Sequence, residues 1–337
     1  MARLLMAALE AAGYAASLVS DLRVYLKDSE DHGRHAALHA AAGAERARIE
    51  RAWAREGKPD LWLSYHPYYK SPDLLGPPLC RAHGVPWVTV EASQSARRSV
   101  GAWAEFQAQA LDAARGAAVN VALTARDEEG LHEIDPDLRV ARLAPFIDAR
   151  AFLDVRPAPE PGHLVAVAMM RAGDKARSFA VLAGAMRALG DRGLRLTIVG
   201  DGPARSEIEA LFQGVTGTSF TGQLDRAGVC EMLSRTSVFA WPGCGEAFGI
   251  AYLEAAAAGV PVAALRTAGV PEVVADGETG LLADDSTEFA EVLGRLFEDA
   301  TLRSQLAEGA RTRVRARHDL PAAAERLSAI LDRWVWG

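Results

Sequence analysis

Two glutamates, Glu246 and Glu254, stand with seven residues between them in WPGCGEAFGIAYLEAAAAGVPV, residues 241–262. Ionised carboxylates accept several hydrogen bonds and so suit the gripping of hydroxyl groups. Gly245 and Gly249 remove the Cβ atoms that would hold a ligand away from the backbone. The apolar, alanine-rich run that follows predicts a helix. The N–H groups of Ala247, Phe248, Gly249 and Ile250 would then form its N-terminus, which favours phosphate. Glu246 falls in the loop before that helix. Glu254 falls about two turns inside it, at ~3.6 residues per turn. Two hydroxyl grips flanking a phosphate cradle describe a ligand with a pyrophosphate and two sugars, and a nucleotide-sugar is such a ligand.

The surrounding pattern supplies elements to position these groups. Val238–Trp241 reads as the strand that delivers the loop. Upstream, Leu164–Met169 reads as a buried strand leading into Arg171 and Lys175 ahead of a helix over 178–189. Two cations at a strand end can neutralise a pyrophosphate. Leu196–Val199 with Gly200-Asp201-Gly202-Pro203 reads as strand, turn and helix start. It is not a Walker loop, because no Gly-Lys-Ser/Thr follows. In the N-terminal half the spacing predicts helices over 2–12, Arg46–Glu56 and 100–115. Strands are predicted over Ala15–Ser20, Leu61–Tyr65, Pro86–Val90, Val119–Leu123 and Leu138–Leu143. Strands alternating with helices imply an α/β fold with parallel sheets wrapped on both faces. The proline-rich stretch from Phe146 to His163 reads as a linker. Domains are therefore expected over 1–150 and 151–318. A final helix, with Leu327, Ile330, Leu331 and Trp334 on one face, lies in 319–337.

Composition narrows the function. A net charge of −7 argues against a broad nucleic-acid surface. No apolar run approaches the ~20 residues of a membrane span. The Trp334/Trp336 pair has no basic face to support more than peripheral membrane contact. Three scattered cysteines, Cys80, Cys230 and Cys244, point to a reducing cytoplasm and no disulfide framework. His32, His35 and His39 share a helix face, yet no cysteine or carboxylate completes a metal shell there, so a solvated face is expected. Asp135-Pro136-Asp137 sits before a strand and reads as turn chemistry. The loop Ser64–Pro78, dense in aromatic and polar groups, follows a strand, where open α/β sheets place ligands. Its His66 and Tyr69 are candidates for the acceptor side of a cleft, together with Glu91 after the next strand.

The Glu246/Glu254 spacing with Phe248-Gly249 resembles the signature of retaining glycosyltransferases of the GT-B fold, especially glycosyltransferase family 4. The resemblance extends through Gly259-Val260-Pro261-Val262, Gly269-Val270-Pro271-Glu272 and Asp276-Gly277-Glu278-Thr279-Gly280-Leu281-Leu282. It is strong from 164 to 285 and weak before 150. It implies two Rossmann-like domains with parallel sheets facing a cleft. The acceptor belongs to the first domain and the donor to the second, and the C-terminal helix crosses back to the first. It implies hexosyl transfer from a nucleotide-diphosphate-sugar to a glycan, lipid or small-molecule acceptor with retention. No metal or cofactor is implied. Glu246, Lys175 and Arg171 would be the catalytic residues. Ala247, Phe248, Gly249, Ile250, Glu254, Gly222 and Gln223 would bind the donor, with Glu254 on the ribose and Phe220–Leu224 on the base.

Three departures stand out. The chain begins inside the first helix of the pattern, so the first N-terminal strand is missing and Met1 is expected to be an internal methionine. Arg171 and Lys175 are one residue closer than in the family. Glu91 stands where many members carry a histidine facing the donor sugar. The first and third motivate an alternative, a non-catalytic nucleotide-sugar-binding protein. A sugar-nucleotide epimerase or phosphorylase of similar fold is another. A dinucleotide oxidoreductase is disfavoured, because Gly200-Asp201-Gly202 lacks the third glycine of that fingerprint.

Overall fold

Short runs rich in β-branched and aromatic residues, such as Trp87–Val90 and Val119–Ala122, are buried along their whole length. Such runs suit strands covered on both faces of a parallel sheet. The computed structural model describes residues 1–94 and 99–337. Helix α1 (Ala2–Ala11) and α2 (His32–Glu56) precede strand β1 (Trp62–Tyr65). Then come α3 (Gly76–His83), β2 (Trp87–Val90), α4 (Ala104–Gly116), β3 (Val119–Ala122), α5 (Ala125–Ile134) and β4 (Val140–Arg142). The four strands form one parallel sheet in the order β1-β2-β3-β4. Tyr65 stands in register with Val90.

The second half alternates in the same way. It runs through α6 (Arg150–Leu153), β5 (His163–Val167), α7 (Asp174–Leu189), β6 (Arg195–Val199), α8 (Arg205–Leu211), β7 (Thr218–Gly222), α9 (Arg226–Ser234), β8 (Val238–Ala240) and α10 (Ile250–Ala257). It continues through β9 (Val262–Leu265), β10 (Gly280–Ala283), α11 (Ser286–Glu298), α12 (Ala300–Arg313) and α13 (Leu320–Leu331). Six parallel strands lie in the order β10-β9-β8-β5-β6-β7. The chain thus grows outward from β5 to β7, returns beside β5 as β8, and grows the other way. That reversal makes a topological switch point between β5 and β8, where open α/β sheets bind ligands at the carboxyl ends of their strands. Leu196, Ile198, Phe239 and Leu253 are fully buried. Burial of such side chains contributes ~1.5–3 kcal/mol each relative to exposure.

Contacts divide the chain into two units, Met1–Leu143 with Ala324–Gly337, and Ala144–Ala323. The ends of the second unit are tied together. Ile147 N–H donates to His318 O (2.9 Å), and Asp319 Oδ1 accepts from Ala149 N (3.0 Å). His318 Nδ1–H donates to Pro145 O at 2.7 Å, and burial pushes the imidazole down to about 4, so it is neutral.

Ala15–Ser20, expected as a strand, pairs with no ladder among the described residues, and Leu18 is 69% exposed. Strand character needs a hydrogen-bonding neighbour as well as an apolar run, and here the backbone is held by side chains instead, Arg48 donating to Val19 O at 2.7 Å. His35 is not solvated: its Nε2 bonds Asp28 O (2.8 Å) and its ring packs edge-on against Phe106. The final helix ends its α-helical part at Leu331 and widens into a π turn over Asp332–Trp336. Leu327, Ile330 and Leu331 are buried as patterned, while Trp334 is only partly covered.

The Gly200-Asp201-Gly202 turn has a packing reason. Gly200 has φ +139°, and a Cβ there would sit 1.9 Å from Ala168 O. The strand ends are laced backbone to backbone, with Met170 N donating to Asp201 O at 3.0 Å. Gly200→Ala is therefore expected to lose about 2 kcal/mol or more, lowering Tm by roughly 4–8 °C. Gly184→Ala, in the exposed middle of α7 with open space around its Cβ, is expected to gain about 0.5–1 kcal/mol. Thermal melts of the two variants beside the wild type check both signs.

Candidate active site

Loops at the carboxyl ends of β5 and β8 meet at the switch point. Lys175, in the first turn of α7, forms an ion pair with Glu246 in the loop after β8. Their side chains are 26% and 15% exposed. Trp241 serves both partners: its Nε1–H donates to Glu246 Oε1 at 3.0 Å, and its ring lies 5.5 Å from Lys175 Nζ. The pair is thus a carboxylate and an ammonium over an aromatic face, in a partly desolvated place where charge interactions strengthen.

The loop that carries Glu246 is fixed from three sides. Cys244 N–H donates to Ser178 Oγ on α7 (2.9 Å), and Gly269 N–H donates to Glu246 O (3.0 Å). Buried Tyr252 donates its hydroxyl to Trp241 O at 3.0 Å. A Cβ on Gly243 would meet that hydroxyl at 2.1 Å, and one on Gly249 would meet the same ring at 2.6 Å. Gly249, at φ +82°, provides no side-chain cap for α10. The first N–H groups of that helix consequently lack an intrahelical partner. Phe248 is buried and Ala247 exposed, so the cradle is half floor and half rim.

Glu254 lies one turn inside α10, since the helix begins at Ile250; two turns were expected, and the Gly249 kink delays the helix start. Burial raises its carboxyl to about 7 from an ordinary 4.5, with Arg226 opposing the shift. Arg226 in turn donates to Asp148 O (3.3 Å) and lies over the Phe152 ring. Arg171 is exposed in the loop after β5, with no ion pair among the described residues. Gly222 ends β7 at φ +77° and its carbonyl accepts from Gly200 N (2.8 Å); Gln223 beside it is exposed. The second unit thus brings Lys175 and Glu246 into contact and places Glu254, Arg171, Gly222 and Gln223 at the same carboxyl edge of its sheet.

His66, Tyr69 and Glu91 belong to the first unit, at the ends of β1 and β2 and in the loop after β1. Asp73 anchors that loop: its Oδ1 accepts from Leu75 N and Gly76 N (both 2.8 Å), and its Oδ2 accepts from Trp62 Nε1 (3.0 Å). Asp135 acts as a turn residue, Oδ1 accepting from Asp137 N (3.1 Å) and Oδ2 from Arg115 Nε (2.6 Å). Sequence reasoning missed Trp241, Tyr252 and Ser178. Their apolar or small character reads as core, although Trp241 and Tyr252 bracket the Glu246 segment at a spacing that local geometry can close. No helix among the described residues is long and apolar enough to cross a membrane.

Residues 162–299 match the family model described as "Glycosyl transferases group 1". The alpha-D-kanosaminyltransferase of Streptomyces kanamyceticus is 29% identical over 288 residues, 79% of this chain and 73% of that protein. The D-inositol 3-phosphate glycosyltransferase of Corynebacterium diphtheriae is 40% identical over 95 residues, 28% of this chain and 22% of that protein. Among solved structures, Anabaena HepE in complex with UDP superposes with a TM-score of 0.70 at 16% identity, covering 86% of this chain and 82% of that one. Sucrose-phosphate synthase from Thermosynechococcus elongatus gives 0.68 at 20% identity, covering 88% and 78%. The fold is that of the GT-B glycosyltransferases, with one Rossmann-like parallel sheet in each of two units.

The raised Glu254 carboxyl has a thermodynamic signature. Folded, it keeps a proton up to about pH 7; unfolded, it releases one near 4.5. Between those values the folded state binds the extra proton, so this group makes stability fall as pH rises, by on the order of 2–3 kcal/mol across the window. Glu254→Gln removes that titration. Relative to the wild type, the variant should gain stability between about pH 4.5 and 7, as urea denaturation at the two ends would read. A difference independent of pH would show an ordinary, ionised carboxylate.

Proposed function

We propose that the chain moves a hexosyl group from a nucleotide-diphosphate-sugar to a hydroxyl of a glycan, lipid or small-molecule acceptor, with retention of configuration, a reading supported by the match of residues 162–299 to the group 1 glycosyltransferase model. The observation that carries this reading is the Lys175–Glu246 pair at the switch point beside the N-terminus of α10. In the transfer, the bond between the anomeric carbon and the diphosphate oxygen breaks while the acceptor oxygen bonds to that carbon. The acceptor's proton passes to the departing phosphate. Lys175, Arg171 and the N–H groups of Ala247, Phe248, Gly249 and Ile250 stabilise the negative charge on the diphosphate. Glu246 exchanges its ammonium partner for donor-sugar hydroxyls as the phosphate claims Lys175. Glu254, in a largely buried place, holds the ribose hydroxyls, and the backbone around Gly222 and Gln223 holds the base.

The positive charge building on the sugar ring resembles that of glycosidases. We favour attack on the same face as departure, with the leaving phosphate as base. The proposal needs no metal and no cofactor. Three free cysteines support a reducing, cytoplasmic setting.

The test is calorimetry with UDP, GDP and ADP and their sugar conjugates. UDP heads the panel because HepE is crystallised with it. One nucleotide should bind, and Lys175→Ala should weaken it about 10–100-fold, the loss of a charged hydrogen bond. Anomeric NMR of the product then reads retention. Binding of none of the three, or binding indifferent to Lys175, would sink the reading.

A further inference from the structure

Among the described residues, every hydrogen bond to the Glu246 side chain falls on one oxygen. Oε1 accepts from Lys175 Nζ and from Trp241 Nε1–H, the latter at 3.0 Å. Oε2 has no partner among the described residues, yet it is not sealed from solvent. The backbone at this position is fixed as well. Glu246 N–H donates to Gly243 O (3.1 Å), and Glu246 O accepts from Gly269 N–H (3.0 Å). The carboxylate is thus oriented, with one oxygen committed inside the protein and the other free to accept.

The two donors on Oε1 differ in how readily they can leave. Lys175 carries its charge on a flexible stem, and an arriving phosphate offers that charge another partner. Trp241 has no such freedom. It is 2% exposed, just beyond the end of β8, and its ring lies edge-on to Phe179 at 4.8 Å. Its backbone N–H donates to Ala263 O (3.1 Å), and its carbonyl accepts from the buried Tyr252 hydroxyl (3.0 Å). An indole N–H is a donor only, so it can neither accept a proton nor exchange roles with its partner. Losing its acceptor would leave a buried donor unsatisfied, which is unfavourable. Trp241 therefore keeps Glu246 in place when Lys175 turns to another anion.

We propose that Trp241 is a positioning residue for the donor's sugar: it holds Glu246 by Oε1, so that Oε2 stays available to a sugar hydroxyl whether or not the diphosphate has claimed Lys175. Trp241 acts through Glu246 and touches no substrate itself. The grip on the sugar is thereby separated from the grip on the nucleotide. Trp241 and Glu246 serve the first, and Lys175 serves the second. This rests on the transferase reading for its ligand and on the contacts of one loop for its geometry. A phenylalanine at position 241 would keep an aromatic ring against Phe179 and leave Oε1 without its immobile donor.

The test pairs calorimetry with indole NMR on the whole chain. The ligands are UDP, GDP and ADP, then UDP-glucose, GDP-mannose and ADP-glucose. The variants are Trp241→Phe, Glu246→Ala and the two combined. Trp241→Phe should weaken the sugar conjugate about tenfold, as loss of a bond to a charged group does, and leave the bare nucleotide within about twofold. In the Glu246→Ala background the same change should cost nothing further, the coupling expected of two residues that act as one unit. The Trp241 indole N–H resonance should move upfield in Glu246→Ala, a readout that stands even if Trp241→Phe fails to fold. A purely structural tryptophan would weaken nucleotide and conjugate together and add its loss to that of Glu246→Ala. Either of those results overturns the role and leaves the transferase reading standing, as does a conjugate that keeps its affinity in Trp241→Phe or an indole indifferent to Glu246→Ala. Binding of none of the three nucleotides sinks the transferase reading and the role with it.

Discussion

One ion pair organises the second unit. Lys175 comes from the first turn of α7, which follows β5, and Glu246 from the loop after β8, two segments distant in sequence that the strand order makes neighbours. Neither charge is in open water, and a partly buried charge stripped of its partner is strongly destabilising. Each therefore keeps the other's loop in place. Trp241 makes the arrangement specific, because its indole N–H and its ring face recognise opposite charges at once. On the proposed reading, an anion arriving at Lys175 would compete with the carboxylate of Glu246 already paired with it.

Around this pair the backbone leaves little freedom. Tyr252 reaches back from α10 to the end of β8, and the glycines at 243 and 249 exist so that its ring and hydroxyl can lie against bare backbone. At Gly269 a Cβ would overlap the carbonyl of Ala247 at 1.4 Å. The donor groups of the helix start are consequently set before any ligand arrives, the condition under which fixed dipoles work best.

Much of this was legible in the chain itself. The Glu246/Glu254 spacing, the strand before it and the glycines within it announce a loop that presents carboxylates and N–H groups together. Most strands of both sheets follow from apolar runs between turn residues, and the parallel α/β architecture from their alternation with helices, whereas the GT-B fold was implied only by the resemblance around Glu246 and Glu254, and β10 (Gly280–Ala283) was not read as a strand. What could not be read depends on pairing. Ala15–Ser20 has the composition of a strand, but no neighbour supplies its ladder. Glu254 fell one turn closer to the helix start than expected because a cap without a side chain, Gly249, begins α10 late. The buried ring of His35 and the double service of Trp241 come from contacts between distant segments, which no local period encodes. The left-handed turns at His66 and Glu91 are nearly as silent, since histidine is only enriched at positive φ and glutamate not even that.

The tie among Pro145, Ile147, Ala149, His318 and Asp319 has a consequence of another kind. It brings the two ends of the second unit side by side, and that unit is one uninterrupted stretch, 144–323, with its own six-stranded sheet. A module whose entry and exit touch can be lifted out, rejoined head to tail, or set into a different host loop without tearing its interior. Here the exit falls inside α13 (Leu320–Leu331), so a clean excision has to take the whole of that helix with the unit.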